Sequence, residues 1–146
     1  MGEFELKGQN GIVRIAIKEV FGFPNNTSHF GGYECILGVE IKVNSYSVKS
    51  SFYSTTGELS NFFKKLRKCH IELSGIADFN SYEENLDLIV KYDFGKVNIS
   101  GKYQENLAID NKLEFDFETD QSYLKEGIDK LERITEKYGG LKGVNK

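Results

Sequence analysis

The hydrophobic positions of the chain follow two different periods, and the first half begins with the period of a strand. Apolar and polar residues alternate over residues 4–17 and again over residues 33–43, a pattern typical of strands with one buried face. The turn-forming segment 9–11 divides the first stretch into a hairpin, and 44–45 precedes a weaker strand that ends near Ser54. This half of the chain therefore predicts four strands in succession.

The period becomes helical after Ser54. Thr55 and Glu58 have the spacing of a capping box, in which each side chain accepts a hydrogen bond from the backbone N–H of the other residue. The apolar residues that follow recur at helical spacing and lie on one stripe, namely Leu59, Phe62, Phe63, Leu66 and Cys69. The pattern predicts an amphipathic helix that packs on a sheet.

Alternation returns in the second half and gives way to a second helix. The predicted strands span residues 76–79, 86–92, 97–103 and 113–117. Either Thr119 or Asp120 can serve as the N-cap of the closing helix, which Gly139 and Gly140 end. Its inner face is expected to carry Leu124, Ile128, Leu131, Ile134 and Tyr138.

The order of the elements, ββββ-α-ββββ-α, indicates the fold class. Successive strands are joined by short connections, and short connections join antiparallel neighbours because parallel strands need long crossovers. We therefore expect an α+β fold, an antiparallel, bent sheet or small sandwich of about seven or eight strands with two amphipathic helices packed on it. Without a linker or repeat in the sequence, we expect one domain over residues 1–146.

Charge is distributed unevenly along the chain and indicates a class of partner. Residues 1–70 carry nine basic and six acidic side chains, whereas residues 71–146 carry ten basic and sixteen acidic ones. An acidic surface repels phosphates and anionic lipids but accelerates the encounter with a basic protein. We expect a protein partner, with no nucleic acid and no membrane. The start of the chain lacks a basic and apolar leader, which favours a cytoplasmic location.

Candidate catalytic and metal-binding residues are few. Cys35 and Cys69 are far apart and belong to no metal-binding motif, so we interpret both as reduced, buried thiols. His29 and His70 have no orienting carboxylate nearby in the sequence, and a surface polar residue and a helix-end cation are the simpler interpretations. We therefore predict no catalytic residue, no metal site, no cofactor and no enzymatic activity.

Two segments are candidates for binding a partner. Glu114, Asp116 and Glu118 alternate along the last predicted strand, and Glu105 and Asp110 precede them. This row is either the solvated face of an ordinary strand, a protein-binding acidic stripe or, as a minor alternative, a metal or acid–base cluster.

The second candidate is the loop 21–32, which is rich in glycine and asparagine and longer than most connections. Phe23, His29 and Phe30 are its candidate contact residues. The loop is either a contact patch or ligand rim with these rings exposed, or a cover over the sheet edge with its phenylalanines buried.

The segment 113–124, LEFDFETDQSYL, together with the amphipathic helix that follows it, resembles the F-x-F-E-T-D-Q-S/T-Y-L end of the WapI family of bacterial immunity proteins. Residues 38–43, 51–59 and 85–101 are similar in type and order to further segments of that family. The resemblance implies an antitoxin that binds and neutralises the C-terminal toxin domain of a polymorphic, contact-dependent secretion system. It implies no particular set of toxin-contacting residues.

The leading hypothesis is therefore an immunity protein, a monomer or weak homodimer, that occludes a basic cognate toxin domain by stoichiometric binding. The alternative is a small-ligand-binding or enzymatic domain with a pocket between the sheet and the helices. An adaptor with a partner that is not a toxin is a third possibility.

Overall fold

The structure, a computed structural model, describes residues 2–144. Within this range the eight strands and two helices follow the predicted order ββββ-α-ββββ-α, which is thereby confirmed. They are β1 (Glu3–Lys7), β2 (Gly11–Val20), β3 (Glu34–Val43), β4 (Tyr46–Thr55), α1 (Thr56–Glu72), β5 (Ser74–Asn80), β6 (Leu86–Asp93), β7 (Lys96–Tyr103), β8 (Leu113–Asp120) and α2 (Gln121–Tyr138). The single domain predicted over residues 1–146 includes Met1, Asn145 and Lys146, which lie outside the described residues.

The strands form two antiparallel sheets of four strands each, in the orders β1-β2-β3-β4 and β5-β6-β7-β8. Within each sheet, every strand pairs with the next one along the chain, as short connections require. The register of the first sheet shifts once, between Ile17 and Glu19, where β2 pairs with β3. The sequence predicted either one bent sheet or a small sandwich, and the structure has two sheets that share a core.

The core joins both sheets to the first helix. Phe52 in β4 packs against Phe79 in β5 and Tyr103 in β7, with ring centroids 6.4 Å and 5.9 Å apart. Phe62 in α1 contacts both Phe79 and Phe4 of β1, so it bridges the two sheets. Because these rings are buried, the inner faces of the sheets form one continuous apolar cluster with the helices.

The two helices lie beside edge strands and against each other. The first helix, α1, runs beside β5, and α2 runs beside β1. The edge of a sheet presents unpaired backbone N–H and C=O groups, which other chains can pair with. The helices therefore shield one edge of each sheet.

Both helices begin at capping residues that the sequence predicts. The hydroxyl of Thr55 accepts from the N–H of Glu58 at 3.1 Å, and the Glu58 carboxylate accepts from the N–H of Thr55 at 3.3 Å. Asp120 is the N-cap of α2 and accepts from the N–H of Ser122 at 2.8 Å. The hydroxyl of Thr119 instead donates to the Lys7 carbonyl oxygen at 2.8 Å, which fastens the end of β8 to β1.

Candidate partner-binding surfaces

An acidic stripe, defined as Glu114, Asp116 and Glu118, runs along the outer face of β8. The side chains of a strand point alternately to its two faces, so these three carboxylates are exposed while Phe115 and Phe117 are buried. The structure therefore brings three of the predicted partner-binding residues into one row on the second sheet.

The neighbouring strand β7 places one lysine and one uncharged amide beside the acidic stripe. Lys102 lies opposite Glu114, and the Asn98 side-chain amide donates to the Asp116 carboxylate at 2.7 Å. Glu118 has no salt bridge and no side-chain hydrogen bond within residues 2–144. Because exposed pairs of this kind contribute little energy, the row stays available to a partner.

The whole outer face of the second sheet has an excess of negative charge. Alternation places seven carboxylates on this face, namely Asp78, Asp87, Asp93, Glu114, Asp116, Glu118 and Asp120. It places three lysines there, Lys91, Lys96 and Lys102. A surface with one predominant sign of charge attracts oppositely charged proteins from a distance.

Two grooves border the acidic stripe and give its surface relief. One, of about 600 Å³, lies between Asp116, Glu118 and Asp120 of the second sheet, the turn at Asn10 and the Tyr123 ring of α2. The other, of about 480 Å³, is lined on the opposite side by residues that include Asp87, Lys102 and Glu114. Grooves of this size have room for the long side chains of lysine or arginine.

The two other predicted carboxylates lie on different surfaces. Lys112 Nζ lies 3.8 Å from Asp110 and 3.9 Å from Glu114, so Asp110 is close to one end of the acidic stripe. The Glu105 carboxylate instead accepts a hydrogen bond from the Ser50 hydroxyl of β4 at 2.9 Å. Glu105 thus lines a groove of about 510 Å³ on the outer face of the first sheet.

In the loop 21–32, Phe23 and Phe30 pack against other aromatic rings and remain partly exposed to solvent. Phe23 packs edge-on against Tyr33 and Tyr138, with both centroid distances at 5.1 Å. Phe30 stacks on Tyr82 at 4.3 Å. Phe23 is nevertheless 41% exposed and Phe30 53% exposed, so the loop has features of both interpretations made from its sequence.

Glycines hold this loop against the start of α1. The N–H of Gly32 donates to the Leu141 carbonyl oxygen at 2.7 Å. Gly32 has a φ of +72°, and a Cβ there would lie 2.3 Å from the Gly57 nitrogen. Because only glycine has both this freedom and this small size, the loop can lie directly on the helix.

The two histidines face aromatic residues and, within residues 2–144, make no hydrogen bond to a carboxylate. His29 is exposed, and its ring contacts Phe30 at a centroid distance of 5.5 Å. His70 Nδ1 lies 2.7 Å from the Tyr92 hydroxyl, and burial lowers the pKa of His70, with Lys125 lowering it further. The helix-end cation predicted for His70 is therefore an imidazole whose neutral form is favoured.

The cysteines and the grooves also bear on the chemistry of the chain. Cys35 and Cys69 are free and buried, as predicted. Across residues 2–144, no group of three or more His, Cys, Asp and Glu side chains is placed to hold a metal ion. Of the three grooves of 480 to 600 Å³, two lie on the outer faces of the sheets, and the one of about 600 Å³ lies between β8 and the Tyr123 ring of α2.

The comparison with known families gives the chain its affiliation. The sequence model of the Immunity protein WapI-like family matches residues 4–139. The chain belongs to the WapI-like immunity protein family. No curated protein matches it, and no solved structure matches it. The resemblance predicted from the sequence is confirmed, and the WapI-like match also includes β1, β2 and the loop 21–32.

The sequence alone did not indicate two surface residues of this WapI-like protein, Tyr82 and Glu34. Tyr82 lies in the connection between β5 and β6, and its hydroxyl donates to the Glu34 carboxylate of β3. The two residues are 48 positions apart, and no local pattern links them.

Within the described residues, neither helix combines the length and the apolar character that crossing a membrane requires.

Proposed function

We propose that this chain is an immunity protein that binds a cognate toxin domain and neutralises it by stoichiometric occlusion, without catalysing a reaction. The family match over residues 4–139 is the observation that carries the proposal. The partner is the C-terminal domain of a polymorphic, contact-dependent toxin, and it is basic. The protein acts in the cytoplasm of the producing cell, where the toxin would otherwise reach its target.

The acidic outer face of the second sheet supports a basic partner. Seven carboxylates against three lysines give this face a negative potential, which raises the association rate with a basic protein. The grooves beside the acidic stripe accept basic side chains once the two proteins meet. Because the stripe lies on a paired strand of a packed sheet, binding orders little of the chain.

The environments of the histidines support occlusion over catalysis. A general base needs an orienting group and access to a substrate. His29 contacts the Phe30 ring, and His70 is hydrogen-bonded to the Tyr92 hydroxyl, so in the described part of the chain neither makes a hydrogen bond to a carboxylate. Neutralisation by surface contact requires no such hydrogen bond.

Co-expression tests the function directly. If a toxin gene lies immediately upstream of the gene for this chain, that toxin is expressed with and without the chain, and survival of the cells is scored. We expect the chain to restore growth and to form a stoichiometric complex with the purified toxin domain. Cell death despite a soluble, folded chain would rule out the immunity function against that toxin.

Charge reversal tests the surface. The triple variant Glu114→Lys, Asp116→Lys, Glu118→Lys is expected to associate with the toxin about tenfold more slowly at low salt, with a weaker dependence on salt concentration. The matched control reverses Glu19, Glu72 and Glu136, three exposed carboxylates without ion pairs in the described part of the chain. Equal association rates for the two triple variants would exclude the acidic stripe as the steering surface.

A further inference from the structure

A second surface, distinct from the acidic stripe, combines exposed aromatic rings with carboxylates. Phe30 of the loop 21–32 stacks on Tyr82 of the β5–β6 connection, with an interplanar angle of 10° and a centroid distance of 4.3 Å. Tyr82 covers one face of the Phe30 ring and the His29 ring lies against it in a T-shaped contact, yet half of the residue remains exposed. Partly exposed aromatic rings are groups on which protein partners anchor.

The carboxylate of Glu34 completes this surface. Its Oε2 atom accepts a hydrogen bond from the Tyr82 hydroxyl, whereas its Oε1 atom has no partner within residues 2–144. One carboxylate oxygen beside the stacked rings is therefore free to accept from an incoming donor. Since Glu34 lies on β3, a paired strand inside the first sheet, its position is fixed by the fold.

The charges around Tyr82 are all of one sign. Burial raises the pKa of the Tyr82 hydroxyl, and the carboxylates of Glu34, Glu83 and Glu58 raise it further. Neither Glu34 nor Glu83 forms a salt bridge with a lysine or arginine in the part of the chain that the structure describes. The surface is therefore negative and aromatic, and over residues 2–144 its carboxylates pair with no lysine or arginine.

The same surface is held in place before any partner arrives. The Tyr33 hydroxyl donates to the Pro24 carbonyl oxygen at 2.8 Å, and the N–H of Phe30 donates to the Ser28 hydroxyl at 3.2 Å. On the Tyr82 side, the Ser81 hydroxyl accepts from the N–H of Leu86 at 3.2 Å. A preorganised site loses little conformational entropy on binding.

We propose that Phe30, Tyr82 and Glu34 form a docking site for an arginine side chain of the protein partner. The guanidinium packs on the exposed part of the Phe30 ring, and its N–H groups donate to Glu34 Oε1. Arginine fits because its charge is spread over a planar fork that both stacks on rings and pairs with carboxylates. That the partner is a toxin rests on the proposed function, whereas the chemistry of the site does not.

Titration with a small probe tests the site without the toxin. Nα-acetyl-arginine amide is added to the isotope-labelled protein, and the ring resonances of Phe30 and Tyr82 are followed by NMR. We expect a saturable shift at these rings, and none with Nα-acetyl-citrulline amide, which has a similar shape and no charge. Equal shifts with the two probes, or no shift with arginine, would overturn the proposal.

Variants separate the contributions of ring and charge. Phe30→Leu keeps an apolar side chain but removes the aromatic face, and Glu34→Gln removes the charge. Each variant is expected to bind the arginine probe with an affinity at least about tenfold lower, as measured by the shift of the Tyr82 ring resonances. The matched control is Tyr46→Ala, which removes an exposed ring at the β3–β4 turn. An unchanged titration in Glu34→Gln would contradict the proposal.

The toxin complex distinguishes failure of this site from failure of the proposed function. If the toxin domain binds, Phe30→Leu is expected to raise its dissociation rate about tenfold while the salt dependence of association is retained. An unchanged dissociation rate would overturn the docking site and leave the immunity function standing. If the toxin does not bind at all, the proposed function fails, and the arginine titration alone decides the site.

Discussion

Gly127 of α2 lies against the backbone of Glu5 in β1, so close that a Cβ atom at position 127 would stand 2.0 Å from the Glu5 carbonyl oxygen. Glycine inside a helix costs about 1 kcal/mol relative to alanine. The contact explains its presence, because no other residue lets the helix axis approach the edge strand this closely. The approach places α2 over the free backbone groups of β1.

We predict that Gly127→Ala destabilises the protein although alanine is the better helix former. Helix propensity favours the variant by about 1 kcal/mol. Forcing a methyl group against a backbone oxygen shifts the helix and costs more, so the free energy of unfolding should fall by about 1–3 kcal/mol. Urea unfolding of the two proteins, followed by circular dichroism, measures the difference.

The control for this prediction is Gly140→Ala. A Cβ at Gly140 would have its nearest atom, the Ser60 hydroxyl oxygen, at 3.7 Å, which is an ordinary contact. We expect Gly140→Ala to stay within about 0.5 kcal/mol of the unchanged protein. If Gly127→Ala unfolds at the same urea concentration as Gly140→Ala, then α2 does not depend on the close approach to Glu5.

Local patterns predict the elements of this fold well because each element has its own period and its own end signals. Thr55 and Glu58 marked the start of α1, and both of their hydrogen bonds are present. The division of eight strands into two sheets was left open, because alternation gives the buried face of a strand and not its neighbours. The sequence also did not indicate why a glycine stands at position 127, because the explanation is a contact with Glu5, which is far away in the sequence.

The candidate surfaces were predictable only where they follow a single element. Alternation along β8 is enough to expose Glu114, Asp116 and Glu118 together. The contact of Tyr82 with Glu34 joins residues 48 positions apart, so it exists only in the folded chain. For the same reason the sequence grouped Glu105 with the carboxylates of β8, whereas the fold turns it towards Ser50.

We predict that His70 makes the protein less stable at acidic pH. Burial, followed by the charge of Lys125, lowers the pKa of His70, while Asp129 opposes the shift. Because the pKa in the folded state lies below the unfolded value of about 6.5, the unfolded chain binds the proton more readily. The stability penalty therefore appears as the pH falls through about 6.5 and is complete below the folded pKa.

Urea unfolding at about pH 8 and about pH 5.5 measures this effect, since the two conditions lie on either side of the unfolded pKa. His70→Gln is expected to lose less stability between these conditions than the unchanged protein, because glutamine does not titrate. Lys125→Gln should lie between the two, because it removes one of the causes that lower the pKa of His70. Parallel losses in all three proteins would show that His70 does not contribute.

We predict that the two cysteines resist alkylation in the folded protein and differ from each other in how well they resist. The thiolate is the reactive form. Burial raises the pKa of Cys35 to about 12, and burial raises the pKa of Cys69 as well. At about pH 8 both thiols should therefore react with iodoacetamide far more slowly in the folded chain than in urea.

The order of the two reactions follows from where each thiol lies. Cys35 is in β3, which is paired on both sides by β2 and β4, so exposing it requires opening the first sheet. Cys69 is in the last turns of α1, and helix ends open at a lower free energy than central strands. Mass spectrometry of samples quenched over time should find Cys69 labelled first. Labelling of Cys35 at the same rate as Cys69 would mean that both react through global unfolding, because only an event that exposes the sheet and the helix end together gives them a common rate.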